Sequence, residues 1–178
     1  MEFYETIGMR RSVRAFSKDP VPQDVLGRVL EAAREAPSAN NLMPWRFVLV
    51  SDVAKRAALA SGIYGKFLAE APIVIVACGD MKASPEWYKV DTAIALEHVV
   101  LAATAEGLGS CWVGSFDKAG AMGCLGIPAG YDVVALMALG YPRDRPDFKR
   151  LASHLVHPNK KLSSLICIED FGNPWPSV

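Results

Sequence analysis

Two short stretches hold the side chains best suited to chemistry. Arg10-Arg11-Ser12-Val13-Arg14 sets three guanidinium groups around one hydroxyl, and the planar guanidinium fork matches phosphate oxygens. Arg10 and Arg14 share a face if the preceding helix persists. Positive charge at a helix C-terminus also complements the helix dipole, so the patch has an ordinary structural reading as well. Ser38-Ala39-Asn40-Asn41 lies between Pro37 and Pro44. Neither proline has a backbone donor, so this segment can neither continue a helix nor join a central sheet. Its hydroxyl and amide groups suit a flat polar heterocycle, and the same composition makes a plain helix-to-strand turn.

Other chemistries find little support. No Gly-x-Ser-x-Gly or His-Glu-x-x-His motif is present, which removes the common signatures of a serine nucleophile and a zinc hydrolase. Cys78, Cys111, Cys124 and Cys167 are widely spaced, so they read as buried thiols rather than a disulfide frame or a zinc site. His98 beside Glu97 has no third candidate ligand nearby and reads as structural. No metal site is expected.

The elements that must position these stretches follow from periodicity. Phe3, Tyr4 and Ile7 mark a short N-terminal helix running into the arginines. Val25, Leu26, Val29, Leu30 and Ala33 recur at helical spacing over 24–36, and Phe47–Val50 reads as the strand after the asparagine turn. Helices are expected over 52–60 and 64–70. The continuous apolar run Ile73–Cys78 predicts a strand buried on both faces. A loop carrying Pro85, Trp87 and Tyr88 then leads to the longest helix, 91–106, capped by Asp91 or a neighbour and stopped by Gly107. That helix is apolar nearly all round, so it should be central, with a copy of itself as one packing partner.

Gly107 and Gly109 do not form a dinucleotide fingerprint, because they follow a helix and lead into the strand Cys111–Val113. Gly114 ends that strand, where a backbone without a Cβ admits a ligand closely. Asp117 caps a short helix ending at Gly126, and Val133–Leu139 is a further apolar strand. Residues 143–150 form a charged loop that reads as solvated surface. Leu165–Ile168 reads as an apolar strand needing a partner, on this chain or another.

The chain has 178 residues, 51% of them hydrophobic, with zero formal net charge. That length suits one domain spanning 1–178. The apolar share points to surface buried by an oligomer interface or a large cofactor. No basic stripe is interleaved with aromatics, so nucleic acid is not an expected partner. No apolar run reaches membrane-spanning length and no basic leader precedes one, so a cytoplasmic protein without membrane contact is expected.

In combination the pieces resemble the FMN-dependent nitroreductase family. The resemblance is carried by Arg10-Arg11-Ser12-Val13-Arg14, Ala36-Pro37-Ser38-Ala39-Asn40-Asn41, Pro44-Trp45-Arg46-Phe47 and Ala71-Pro72-Ile73-Val74-Ile75. It continues through Asp91-Thr92-Ala93-Ile94-Ala95, Gly107-Leu108-Gly109-Ser110-Cys111-Trp112-Val113-Gly114 and Ala138-Leu139-Gly140-Tyr141-Pro142. It implies an α+β fold, with a central mixed or antiparallel sheet flanked by helices, in an intertwined homodimer with FMN at the interface.

It further implies that Arg10, Arg11, Ser12 and Arg14 surround the flavin phosphate, ribityl chain and pyrimidine edge. Pro37, Ser38, Ala39 and Asn41 would come from the second copy, and Val113 and Gly114 would lie against the ring, with the Gly114 N–H near N5. Lys149 or Arg150 would complete the phosphate site. Tyr64, Phe67, Trp87 and Tyr88 are the expected apolar walls for a small-molecule acceptor. The implied activity is hydride transfer from NAD(P)H through the flavin to a nitroaromatic, quinone or similar acceptor, with ping-pong kinetics. Alternatives are an enone reductase or dehalogenase of the same fold, or a non-catalytic flavin-binding or sensing module. Two departures stand out: Met43 replaces the usual Gln before Pro44-Trp45, and Leu151 follows the basic pair where Pro is common.

Overall fold

The computed structural model describes residues 2–62, 65–143 and 159–175. Met1–Arg145 and Pro146–Val178 form two compact units. The first unit carries a four-stranded antiparallel sheet in the order β1-β2-β4-β3, made of β1 (Trp45–Val50), β2 (Ile73–Asp80), β3 (Gly109–Val113) and β4 (Tyr131–Gly140). Among the described residues five α-helices accompany it: α1 (Phe3–Met9), α2 (Gln23–Arg34), α3 (Val53–Leu59), α4 (Tyr88–Ala105) and α5 (Lys118–Leu125). The class is α+β, as expected.

β2 is central and apolar on both sides, so the sheet needs two covers. Ile73, Ile75 and Ala77 face one core with Val29 and Ala33 of α2 and Ala95, Leu96, Val99 and Ala103 of α4. Val74, Val76 and Cys78 face the other, with Leu59 of α3, Leu68 and Ala121 of α5. A register shift between Ala77 and Cys78 leaves Val134 without a partner on β2. The bulge explains why Val133 shares the second core with Leu136 and Ala138 although strict alternation would put it on the opposite face.

Several boundaries move for identifiable reasons. The longest helix begins at Tyr88, and Asp91 lies within its first turn; neither Asp91 nor a neighbour supplies the expected cap, because no side chain bonds the helix start. Gly107 does stop it, at φ +77°. Asp117 caps α5 by accepting from the Gly120 N–H at 3.0 Å, and Gly126 ends it at φ +66°. The helix expected over 64–70 is, among the described residues, a single 3-10 turn over Lys66–Leu68. His98 is held structurally, with Nδ1 3.0 Å from the Ala32 carbonyl oxygen.

In the second unit the expected strand over Leu165–Ile168 is replaced by a tight reversal. Glu169 at φ +60° and Gly172 at φ +101° turn the chain back, so that Cys167 bridges Pro174 and the Trp175 N–H donates to the Ile166 carbonyl at 2.9 Å. The apolar segment therefore finds a partner seven to nine residues on in its own chain, because two left-handed residues close the turn locally.

The approach of residues 12–17 to the sheet depends on one missing side chain. A Cβ on Gly109 would lie 2.7 Å from Val13 Cγ2 and 2.8 Å from Val13 Cβ. Gly109→Ala should therefore lower stability by about 1–3 kcal/mol, as overpacked sites do. A urea midpoint equal to that of the unsubstituted chain would show that the segment yields without cost.

Candidate functional site

The arginine segment leaves α1 and becomes extended beside β3. Ser12 forms a parallel bridge with Ser110, and the Val13 N–H donates to the Ser110 carbonyl at 2.8 Å. Further on, Phe16 bridges Pro142 and the Arg143 N–H donates to the Ala15 carbonyl at 3.0 Å. Ser12 and Val13 are thus fixed at the open edge of β3, and Ala15–Ser17 against the residues that follow β4. Arg10 and Arg11 are exposed, and their side chains have no ion pair or hydrogen bond among the described residues. Arg14 is half-buried and engaged. Two unneutralised guanidinium groups beside a fixed backbone are a donor set that fits a phosphate.

The asparagine turn is built differently. Ala39–Asn41 is a 3-10 turn, and Asn40, Asn41 and Met43 all take positive φ, at +50°, +56° and +43°. Asn tolerates this conformation; for Met it carries strain. Backbone geometry is held by Ser38, whose Oγ accepts from the Met43 N–H at 2.9 Å and whose carbonyl accepts from the Asn41 N–H at 3.0 Å. The Asp80 N–H donates to the Pro44 carbonyl at 2.8 Å, fastening the exit of the turn to the end of β2. Pro37 and Asn41 are exposed, while Ser38 and Ala39 are half-buried.

The two sets do not meet in one chain. The turn feeds β1, at one edge of the sheet, and the arginine segment lies outside β3, at the other. β1 is four strand spacings from that segment, about 19 Å across the sheet. They are offset along the strands too: Trp45 pairs with Gly79, whereas Ser110 pairs with Leu139, which faces Ile73 at the far end of β2. Val113 is buried and Gly114 is exposed, with open space where its Cβ would be.

Of the expected pocket walls, Trp87 is exposed and Phe67 half-buried. Tyr88 opens α4, and its hydroxyl donates to Asp132 Oδ2 at 3.2 Å; Lys118 Nζ bonds the other oxygen of Asp132 at 2.5 Å. No periodicity or spacing points to this Tyr88–Asp132–Lys118 cluster, since it joins three elements through residues far apart in the chain. Asp80 accepts from the Ala83 and Lys82 amides, which together hold its carboxyl below the usual carboxylate range. Tyr64, Lys149 and Arg150 lie outside the described residues. A shallow cavity of about 280 Å³ is lined by Arg46, Val48, Cys78, Leu125, Ile127 and Tyr131, and none of the expected site residues borders it.

The sequence profile of the Nitroreductase family matches residues 7–65 and 59–141. An NADH dehydrogenase from Thermus thermophilus is 34% identical over 172 residues, covering 76% of this chain and 84% of that protein. A nitroreductase family protein from Clostridium novyi has a solved structure with TM-score 0.77 and 32% identity, covering 98% of this chain and 97% of that one. An FMN-dependent nitroreductase from Clostridium difficile superimposes with TM-score 0.73 at 29% identity, covering 88% and 98%. Among the described residues, no helix is long and apolar enough to cross a membrane, and no His, Cys, Asp and Glu cluster could hold a metal.

The cysteines divide more sharply than their sequence surroundings suggested. Cys78 and Cys111 are buried, but Cys124 and Cys167 are exposed, because the end of α5 and the local reversal after Ile166 both face solvent. Burial, with a smaller contribution from Asp132, pushes the Cys78 thiol up to about 11. At pH 8 a thiol reagent should label Cys124 and Cys167 rapidly and Cys78 only on unfolding. Rapid labelling of Cys78 in the native protein, located by peptide mapping, would contradict its burial.

Proposed function

This chain belongs to the nitroreductase family and is an oxidoreductase, and from that premise we propose that it is an FMN enzyme acting as a homodimer. Its electron donor is NAD(P)H, and its acceptor a nitroaromatic, quinone or similar small molecule. The observation that carries this reading is the separation of the arginine segment and the asparagine turn to opposite edges of one sheet. A ligand that uses both needs a second copy, which brings its turn to the first copy's arginines. The apolar character of the chain, 51% hydrophobic, supports the same arrangement.

When bound, FMN supplies hydride acceptance from NAD(P)H at N5 and onward donation to the acceptor. The chain's own residues bind and orient. Arg10 and Arg11 would hold the phosphate by charge-assisted hydrogen bonds. Ser12 offers a hydroxyl to the ribityl chain, and Arg14 sets positive charge at the pyrimidine edge, which favours negative charge there. The strand end at Val113, whose own side chain is buried, and the exposed Gly114 would lie against the ring, where a backbone without a Cβ admits a close approach.

Pro37, Ser38, Ala39 and Asn41 of the second copy close the site. Trp87, Tyr88 and Phe67 would supply apolar walls for a slot that donor and acceptor occupy in turn, which gives ping-pong kinetics. Tyr88 is suited to this, because its bond to Asp132 fixes the ring and the residue is only half-buried.

Purified protein should be yellow, and NADH or NADPH should bleach it in stopped flow. A flavin that stays oxidised under both donors would leave a binding module instead. Arg14→Ala should weaken FMN binding about tenfold or more, since a hydrogen bond to a charged group is lost. Dilution to monomer should release FMN, and retention by a true monomer would overturn the shared site.

A further inference from the structure

The asparagine turn contains three non-glycine residues at positive φ, and such backbone persists only where its surroundings over-determine it. Most of its restraints are its own: Ser38 Oγ, the Ser38 carbonyl, and the Ala39 carbonyl, which accepts from the Leu42 N–H at 3.1 Å. Two come from distant elements: the Asp80 N–H holds the exit of the turn at the Pro44 carbonyl, and Asp91 holds its middle. Asp91, in the first turn of α4, is only 3% exposed. Both of its carboxylate oxygens lie 3.3 Å from the Ala39 N–H. Among the described residues that amide is the only hydrogen-bond donor to the carboxylate.

A carboxylate this buried needs compensation, and two features give it. The first turn of a helix carries partial positive charge, and the Ala39 amide is aimed at it. A cap for α4 would not require this placement, since Asp91 lies inside the helix rather than before it. The residue is better explained by what it holds. It clamps the turn at Ala39, between Ser38 and Asn41, and ties the turn's position to the rigid α4.

Resting on the reading above, in which Ser38–Asn41 serves the flavin held by the other copy's arginines, we infer that Asp91 is a positioning residue for the cofactor site of the second subunit. It touches neither flavin nor substrate. It fixes the Ala39 amide, and through it the side chains of Ser38 and Asn41, in the geometry that closes over the partner's bound FMN. A defect at Asp91 is therefore felt in the site that uses the other copy's arginines.

The test compares Asp91→Ala and Asp91→Asn, with FMN affinity read by quenching of flavin fluorescence. Asp91→Ala should raise the FMN Kd about tenfold to a hundredfold. Asp91→Asn should restore most of the affinity, because its carbonyl oxygen still accepts from Ala39. Mixed dimers of Asp91→Ala and Arg14→Ala chains, separated by tags, decide the direction of action. One of their two sites carries both defects and the other neither, so they should bind one FMN per dimer with unaltered affinity.

A site within each chain would leave one defect in both sites, and a mixed dimer with no tight site overturns the inference. So does unchanged affinity in Asp91→Ala. An unsubstituted protein that fails to bind added FMN would instead remove the flavin reading itself, a result distinct from either.

Discussion

A strand with no polar face governs the architecture. Because β2 is apolar from Ile73 to Cys78, it has to be covered above and below. α2 and α4 cover one side, α3 and α5 the other. Both broad surfaces of the sheet are thereby taken up with packing. What remains for chemistry is the periphery: the strand ends, the connecting turns and the outer border of β3. The arginine segment and the asparagine turn lie there, held by hydrogen bonds of the backbone rather than by core burial.

That division explains what could be read from the sequence. Val29 and Ala33 on α2, the unbroken β2 run, and the all-round apolar α4 are consequences of burial, and burial leaves a periodic trace. Asp117 and Gly126, which bound α5, leave a trace of another kind, because each satisfies helix-end groups that few residue types can serve. These features emerged in the structure at nearly their expected positions.

The features that were not legible depend on contacts between elements. Asp91 reads as a helix cap because acids are common at that place, and only the fold brings Ala39 to it. The start of α4 at Tyr88 depends on Gly79, where any Cβ would strike the Tyr88 ring at 2.6 Å. The reversal after Ile168 is decided by Glu169, a residue with no particular preference for positive φ. Likewise, the docking of Ser12 beside Ser110 turns on Val13 meeting a glycine nearly a hundred residues later, a relation that composition and spacing do not encode.

The order of strands in the sheet has a consequence for biosynthesis. β2 is complete at Asp80, and β1 can pair with it at once, but its other neighbour, β4, begins at Tyr131. At ribosomal speeds of about 5–20 residues per second, roughly 3–10 s pass before that neighbour is made. Throughout that interval a β-branched strand offers one unpaired side to any other nascent chain. The middle of the sheet, which is the least accessible part of the finished molecule, is thus its most vulnerable part while the polypeptide is still being translated.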